Sequence, residues 1–255
     1  KTDTHPPRHE SYWKVNVEGT RKIIDAVKET GVKRLIHIGT ANSFGPGDEK
    51  DPGDETKEYT AGKYRLDYMC SKKAAQDEVL KAAREEGLDA VIVNPTFMIG
   101  PYDSKPSSGT MIMAVNKGKI PGYPSGGRNF VYVGDVAAAI VAAIEKGRRG
   151  ECYIVGNENL SYREAFGKMA GALGVKPPKM KMPRWLTLAY GRMMTGMGTV
   201  LAFTPPVNYP MALISTEKHY YSNEKAKREL GLQPTPLSEA LEEAVNWFRE
   251  NEYIN

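Results

Sequence analysis

Two short apolar runs constrain the fold of this chain more than any other feature. Residues 34–38 (RLIHI) and 90–93 (AVIV) are nearly continuous apolar runs, and each comes after a stretch with helical periodicity. A strand that is buried on both faces of a sheet has this appearance, because both of its side-chain rows meet apolar neighbours. The alternation of helical stretches (13–29 and 63–86) with such strands predicts a parallel sheet joined by crossover helices.

The rest of the chain adds shorter elements. Residues 130–133 and 152–155 have the composition of further strands. Residues 101–128 are rich in Gly, Pro and Ser around one short helix, which indicates an excursion from the sheet.

Two helix starts can be predicted from capping residues. Asp135 is placed to cap a helix over 136–146. Ser161 and Glu164 have the spacing of a capping box at the start of the next helix.

The charge pattern and the cysteines exclude several functions. The net charge of +4 is mild and the basic residues are scattered, so no nucleic-acid partner is predicted. Cys70 and Cys152 have neither zinc-site spacing nor a disulfide framework, so we predict no metal and a cytoplasmic location. The apolar stretch 185–203 is interrupted by Arg192 and several glycines, which predicts a buried or lobe helix and no membrane span.

A tyrosine and a lysine four positions apart form the first candidate for chemistry. Tyr68 and Lys72 lie in the second helical stretch, where this spacing puts both side chains on one face. An ammonium beside a phenol favours the phenolate, so we expect Lys72 to lower the pKa of Tyr68 and to prepare it for proton transfer. Taken alone, such a pair is more often a solvated pair on a helix, and Tyr59 and Lys63 have the same spacing.

Polar side chains follow the predicted strands at their carboxyl ends, where an open parallel sheet binds ligands. Thr40 follows the first strand, the helix with Tyr68 and Lys72 comes next, and residues 95–97 (PTF) close the second strand. A hydroxyl, a phenol and an ammonium at one edge suit redox chemistry between a carbonyl and an alcohol. Thr40 would hold the substrate oxygen, Tyr68 would pass the proton, and a cofactor would carry the hydride.

These residues belong to a longer series of motifs that resembles the extended short-chain dehydrogenase/reductase family over nearly the whole chain. The motifs are NVEGT at 16–20, KRLIHIGTANSFG at 33–45, YMCSK at 68–72, NPTFMIGP at 94–101, NFVYVGDVA at 129–137 and KAKRELGLQP at 225–234. Several motifs in order are a specific signal, whereas any one alone is not. The resemblance also selects Tyr68, which stands at the family's usual distance after Thr40, whereas Tyr59 lies in a loop.

The resemblance implies an α/β fold of the Rossmann type, with a doubly wound parallel sheet and a small C-terminal substrate-binding lobe. The Rossmann-type domain is expected over 1–157, with 101–128 as an excursion toward the lobe. The lobe and the closing helices are expected over 158–255. Family members often dimerise through two long helices, here near 13–30 and 63–86, so a homodimer is also expected.

The resemblance further implies the cofactor and the site. We expect NAD or NADP as the cofactor and a small molecule as the substrate. Tyr68 is the expected general acid and base, Lys72 is expected to bind the nicotinamide ribose, and Thr40 is expected to hold the substrate oxygen. The segment that lines the nicotinamide in the family contributes Pro95, Met98 and Ile99 to the expected cofactor site.

Two departures from the family pattern concern cofactor binding. No Gly-x-Gly-x-x-Gly turn opens a helix after a strand in these 255 residues, although such a turn holds the pyrophosphate in the family. Asn94 stands where the family usually has arginine. Because the other active-site residues are intact and the sequence begins at Lys1 without a methionine, we expect the Gly-rich part to precede this stretch.

The substrate class depends on the residues after Pro95. Many nucleotide-sugar epimerases and dehydratases of the family have asparagine where this chain has Phe97, and the next two side chains are also apolar. Residues 176–215 are rich in methionine, which fills adaptable apolar surfaces. We therefore predict an NAD(P)-dependent oxidoreductase that interconverts a hydroxyl and a carbonyl on an apolar or mid-sized substrate, with Asn42, Phe97 and Arg128 as substrate contacts.

The stretch 119–130 supports this prediction, because it resembles the dihydroflavonol-reductase and 3β-hydroxysteroid-dehydrogenase branches of the family. Two other interpretations stay open. The second interpretation is a nucleotide-sugar epimerase or dehydratase with tightly bound NAD, in which Arg128 could meet the diphosphate of the substrate. A non-catalytic cofactor-sensing or partner-binding protein is the third interpretation, and the intact Tyr68 and Lys72 argue against it.

Overall fold

The computed structural model describes residues 9–118, 120–201, 203, 205 and 207–255. Its strands are β1 (Leu35–Ile38), β2 (Ala90–Pro95), β3 (Phe97–Ile99), β4 (Gly127–Tyr132), β5 (Cys152–Val155), β6 (Glu158–Ser161) and β7 (Lys218–His219). Its α-helices are α1 (Glu10–Trp13), α2 (Gly19–Thr30), α3 (Asp67–Glu85), α4 (Gly109–Asn116), α5 (Val133–Lys146), α6 (Tyr162–Leu173), α7 (Arg184–Val200), α8 (Tyr209–Ser215), α9 (Glu224–Leu230) and α10 (Leu237–Glu250). A π-helical turn (Lys14–Glu18) joins α1 to α2, and 3₁₀ turns cover Ala41–Ser43 and Ala61–Tyr64.

A three-stranded parallel sheet forms the centre of the fold, in the order β1-β2-β5. Ile36 of β1 is level with Val91 of β2. The strands predicted at 34–38, 90–93 and 152–155 correspond to these three. Helices connect them, as parallel strands require.

Helices cover both faces of this sheet, and the side chains of β2 alternate between the two faces. Ala90 and Ile92 pack in one hydrophobic cluster with residues of α2 and α3. Val91 and Val93 pack on the opposite face with residues of α5 and α9. Because both rows are buried, these four positions are all apolar. The predicted Rossmann-type, doubly wound parallel sheet is confirmed.

A second sheet, of four strands, begins directly after β2 and supports the candidate substrate lobe. Strand β4 pairs in parallel with β3 and β7 and antiparallel with β6. The lobe core contains Ile99 of β3, Phe130 of β4 and side chains of α4, α6 and α10. We propose that the Rossmann-type domain covers residues 1–157 and that the lobe and closing helices cover 158–255. Helix α9 is an exception, because its Leu230 packs against the first sheet.

Two helix starts test the predicted capping residues. At α6, Ser161 Oγ accepts from Glu164 N and the Glu164 carboxylate accepts from Ser161 N, so the capping box is confirmed. The prediction for Asp135 is wrong, because α5 begins at Val133. The Asp135 carboxylate instead accepts hydrogen bonds from the backbone N–H and the hydroxyl of Thr235, a contact that no local pattern reveals.

Helix α3 starts later than the sequence pattern predicts. Arg65 has φ 52°, in the left-handed region, and it separates the turn Ala61–Tyr64 from the helix. The helix then runs from Asp67, so Tyr68 lies in its first turn.

Candidate active site

The carboxyl end of β1 presents the first candidate side chain. Thr40 follows Gly39 and begins the turn Ala41–Ser43, and its Oγ1 accepts a hydrogen bond of 3.3 Å from Asn42 N. The Thr40 side chain also lies close enough to Tyr68 to lower the pKa of its phenol. A hydroxyl has one donor and two acceptor sites, so capping the turn leaves the Thr40 hydroxyl free to donate elsewhere.

Helix α3 presents three polar side chains along one face at intervals of four residues, namely Tyr68, Lys72 and Gln76. Lys72 Nζ donates a hydrogen bond of 2.5 Å to the carbonyl of Ile38 in β1. This contact holds the ammonium at the carboxyl end of the strand, one helical turn from the phenol. The sheet edge and the helix thus bring together the three predicted catalytic residues.

The electrostatics of Tyr68 differ from the prediction. Burial raises the pKa of Tyr68, and the nearby Thr40 side chain and the charge of Arg128 lower it by less. The groups that lower it are Thr40 and Arg128, whereas the Lys72 ammonium donates to the Ile38 carbonyl. Burial lowers the pKa of Lys72 itself. Arg128 is therefore the cation that favours the phenolate.

Arg128 lies in β4, opposite His219 of β7. Its Nε donates a hydrogen bond of 2.7 Å to the hydroxyl of Tyr162, and its guanidinium carbon lies 5.0 Å from the centre of the Phe97 ring. A cation over an aromatic face is attracted by the ring quadrupole. The predicted substrate contacts Phe97 and Arg128 are therefore neighbours, and both lie in the second sheet.

A buried hydrogen-bond chain next to this cation was not predicted from the sequence. The Tyr64 hydroxyl donates to the Glu217 carboxylate at 2.6 Å and lies 3.1 Å from His219 Nε2. Since the single phenol proton goes to the carboxylate, His219 Nε2 donates to the phenol oxygen. Burial, and then the charge of Arg128, lower the pKa of His219 to about 3, so the ring is neutral near pH 7. Tyr64 and Glu217 are 153 positions apart, so no local signal connects them.

A buried amide pair holds the turn that carries Thr40. Asn94 Nδ2 donates to the Thr40 carbonyl at 3.0 Å and to Gln76 Oε1 at 2.7 Å. A Cβ atom on Gly39 would lie 2.4 Å from Asn94 Nδ2, so this close approach requires glycine. Helix α3 thus fixes the carbonyls on both sides of Gly39. Lys72 bonds the Ile38 carbonyl directly, and Gln76 holds the Asn94 amide that bonds the Thr40 carbonyl. Asn94, which departs from the family pattern, has a structural role here.

Replacing Asn94 with leucine is expected to lower the free energy of unfolding by about 1–3 kcal/mol, because two buried acceptors lose their donor. The double variant Asn94→Leu/Gln76→Leu should lose less than the sum of the single variants, since it removes both amides together. Urea unfolding followed by circular dichroism measures all three variants. Strictly additive losses would contradict the pairing.

The residues at this edge fit the nicotinamide-ribose half of NAD(P). Lys72 and Tyr68 provide an ammonium and a phenol one turn apart, a donor set suited to the two ribose hydroxyls. In the predicted nicotinamide segment, Met98 is exposed and Pro95 is buried in β2. The side chain of Ile99 packs in the lobe core, so only its backbone remains as a proposed cofactor contact.

The alternative pair of tyrosine and lysine does not form. The Tyr59 hydroxyl donates to Cys70 Sγ at 3.5 Å, whereas Lys63 Nζ pairs with Glu217 at 2.7 Å. Asn42 is half-buried in the turn after Thr40 and remains a proposed substrate contact.

In the part of the chain that the structure describes, no three His, Cys, Asp or Glu side chains are grouped so that they could hold a metal ion. Over the same residues, every helix is too short or too polar to cross a membrane. Cys70 and Cys152 are both free thiols.

Known proteins are similar to this chain in sequence and in fold. The sequence profile of the NAD dependent epimerase/dehydratase family matches residues 4–156. A putative dihydroflavonol 4-reductase of Synechocystis sp. is 32% identical over 250 residues, which cover 96% of this chain and 73% of the relative. Sterol demethylase protein B of Methylococcus capsulatus is 30% identical over 253 residues, which cover 94% of this chain and 74% of the relative.

A solved structure is similar over the same length. The crystal structure of a nucleoside-diphosphate-sugar epimerase from Pseudomonas aeruginosa has a TM-score of 0.79 and 26% identity, covering 96% of this chain and 76% of that chain. Fold, site and matches together define an NAD(P)-dependent oxidoreductase. More narrowly, the chain belongs to the NAD-dependent epimerase/dehydratase family, which forms part of the extended short-chain dehydrogenases/reductases.

Proposed function

We propose that this protein interconverts a hydroxyl and a carbonyl on an apolar or mid-sized small molecule, with NAD or NADP as the hydride carrier. The observation that carries the proposal is the placement of Thr40 beside Tyr68 at the carboxyl end of β1, with Lys72 one turn further along α3. A hydroxyl and a phenol placed side by side can both reach one substrate oxygen. The reductase and sterol-enzyme names of two similar proteins support this function.

Proton transfer is the part of the reaction that we assign to this chain's own residues. In reduction, the Tyr68 hydroxyl gives its proton to the substrate oxygen, and in oxidation the phenolate takes the proton back. Thr40 holds the same oxygen by a hydrogen bond, and Lys72 binds the ribose hydroxyls. When bound, the nicotinamide supplies or accepts the hydride. Arg128 stabilises the phenolate by its charge.

The surroundings of Tyr68 support an apolar substrate. Tyr68 packs against a cluster that contains Tyr64, Leu66 and Ile214. Phe97 presents an aromatic ring on the side of Arg128. Burying hydrocarbon surface against such side chains contributes about 25 cal/mol per Å² of apolar area. A ring system with one carbonyl or hydroxyl group matches this combination of apolar surface and proton donors.

A substrate panel tests the proposed reaction in the intact protein. We expect consumption of NADH or NADPH, followed by nicotinamide absorbance, with at least one ketone among sterol, flavonoid and aryl ketones. The control is the same panel without protein. Turnover of UDP-sugars with no reduction of any ketone would overturn the proposal.

A nucleotide-sugar epimerase or dehydratase with tightly bound NAD is the second candidate. The observation that favours it is the half-buried guanidinium of Arg128 beside the site, which would pair with a diphosphate. The described activity of the similar Pseudomonas aeruginosa protein agrees with this alternative.

Replacing Arg128 with methionine separates the two candidates. When the cation is removed, the pKa of Tyr68 should rise. The alkaline limb of the turnover–pH profile for ketone reduction and the acidic limb for alcohol oxidation should therefore both move to higher pH. The KM of an uncharged ketone should change little. The KM of a nucleotide sugar would instead rise by about a hundredfold, because its diphosphate loses a charged partner. Arg163→Met, on the exposed face of α6, is the matched control.

We also propose a homodimer through the helices near 13–30 and 63–86. Exposed apolar side chains on the first of these, Val15 and Ile23, support this interface. The two free thiols suit a reducing compartment, so we propose a cytoplasmic location.

A further inference from the structure

The region from α6 to α8 has the most one-sided charge in the chain. Between residues 165 and 216 the sequence has six lysines and arginines and no aspartate or glutamate. Since the whole chain has a net charge of +4, the remainder is net negative by two. Positive charge is therefore concentrated on one region of an otherwise nearly balanced protein.

Five of these cations are exposed on and before α7, namely Lys176, Lys179, Lys181, Arg184 and Arg192. Among the ion pairs of the described residues, none involves these five side chains. The guanidinium of Arg192 lies 4.9 Å from the centre of the Tyr209 ring. Cations that protein carboxylates do not neutralise are available to an anionic partner.

Helix α7 is also apolar on the side that faces solvent. Trp185 is 70% exposed, Met193 53%, Met197 42% and Val200 82%. At about 100° per residue, these four positions lie within about 120° of the helix circumference. A contiguous apolar stripe of this kind on a surface marks an interaction site.

The opposite side of α7 packs against α8. Thr187, Gly191 and Gly198 are its buried residues. A Cβ atom on Gly191 would lie 2.5 Å from Cβ of Ala212, so α7 and α8 approach closely at that point. A rotation that turned the methionines inward would push large side chains against α8. The helix is therefore held with its small residues inward and its large apolar residues outward.

We propose that α7 and the basic segment before it, residues 176–200, form a docking surface for anionic lipid bilayers. A helix in the plane of a membrane interface buries its apolar side at the boundary of the acyl chains, while neighbouring lysines and arginines attract anionic headgroups. Trp185 is suited to that boundary, because its ring combines a large apolar body with one polar N–H group. The contact is peripheral, since α7 is among the described helices that could not cross a bilayer.

The charge favours a bilayer over a second copy of the chain. A symmetric dimer through α7 would set this cationic surface against an identical one. An anionic bilayer neutralises the same charges. The surface also adjoins the proposed active site, since α8 packs on α7 and contributes Ile214 to the cluster beside Tyr68.

Vesicle co-sedimentation of the intact protein tests the docking surface. We expect binding to phosphatidylcholine vesicles that contain phosphatidylglycerol, and binding at least about tenfold weaker to pure phosphatidylcholine vesicles. Added salt should weaken the binding to anionic vesicles. The tryptophan fluorescence should shift to shorter wavelength on binding, and the shift should disappear in Trp185→Phe.

Charge-reversal variants locate the surface. Lys181→Glu/Arg184→Glu should lose at least about tenfold in partitioning to anionic vesicles, given about 1 kcal/mol for each basic residue near such a membrane. Lys33→Glu/Lys50→Glu makes the same change in charge at exposed lysines outside α7 and outside the proposed dimer helices, and it should bind like the parent protein. Circular dichroism confirms that both variants are folded.

Three results would overturn the proposal. The first is no binding of the parent protein to anionic vesicles, and the second is an equal loss of binding in the two double variants. The third is dimerisation that Met193→Glu abolishes, seen without vesicle binding, which would assign the surface to a second copy of the chain.

Discussion

Replacing Tyr68 with phenylalanine is expected to lower kcat by at least about a hundredfold, the usual contribution of a general acid–base group. Phenylalanine fills the same space beside Tyr64 and Leu66 but has no proton to give. Affinity for NADPH should fall by no more than about tenfold, because the variant loses one hydrogen bond to the ribose and keeps the ammonium of Lys72. Steady-state turnover and fluorescence titration with NADPH measure the two quantities in the intact protein.

The matched control for this variant is Tyr59→Phe. Tyr59 stands at the same spacing from a lysine, but its hydroxyl donates to Cys70 Sγ. We expect its turnover to equal that of the parent protein. Retained turnover in Tyr68→Phe, or an equal loss of turnover in Tyr59→Phe, would contradict the assignment of Tyr68 as the general acid and base.

Acidification from about pH 6.5 to about pH 4 is expected to remove about 3 kcal/mol of unfolding free energy through His219 alone. Burial lowers its pKa from 6.5 to about 3, helped by Arg128 and Lys63 and opposed by Glu217. Below pH 6.5 the unfolded chain takes up a proton on this imidazole, whereas the folded chain does not. The contribution is therefore fully present above pH 6.5 and is lost as the pH falls toward 3.

Urea unfolding at a series of pH values measures this loss. Glutamine at position 219 can still donate to the phenol of Tyr64 but does not titrate. His219→Gln should thus reduce the dependence of the unfolding free energy on pH by up to about 1.4 kcal/mol per pH unit. His37 also destabilises the folded protein on acidification, because burial lowers its pKa to about 4. Its contribution is the same in the parent protein and in His219→Gln. His9→Gln, at an exposed position, is the control, and an unchanged slope in His219→Gln would contradict the prediction.

The sheet could be predicted from the sequence because its signal is local. Strand β2 at the centre of the sheet has helices on both faces, so the run 90–93 is apolar at every position. The predicted helix starts are less accurate where the backbone departs from the periodic pattern. Arg65 delays α3 by adopting a left-handed conformation, and Asp135 binds Thr235 across the fold instead of capping α5.

The candidate proton-transfer residues could be named for a related reason. Thr40 ends a strand, and Tyr68 and Lys72 share one face of the following helix, so parallel topology alone predicts that they meet. Their electrostatics could not be predicted, because the pKa of Tyr68 depends on burial and on Arg128, which comes from another sheet. A helical spacing of four residues also says nothing about which carbonyl an ammonium will reach.

By itself, the sequence determined the class of fold and the groups able to exchange a proton, since both depend on patterns among neighbouring positions. Only the tertiary structure decided what surrounds those groups: the chain from Tyr64 to Glu217 and His219, the amide of Asn94 on the Thr40 carbonyl, and the outward apolar side of α7. These contacts join residues far apart in the chain. Their burial sets the free energy of each charge and hydrogen bond, and burial exists only once the chain is folded.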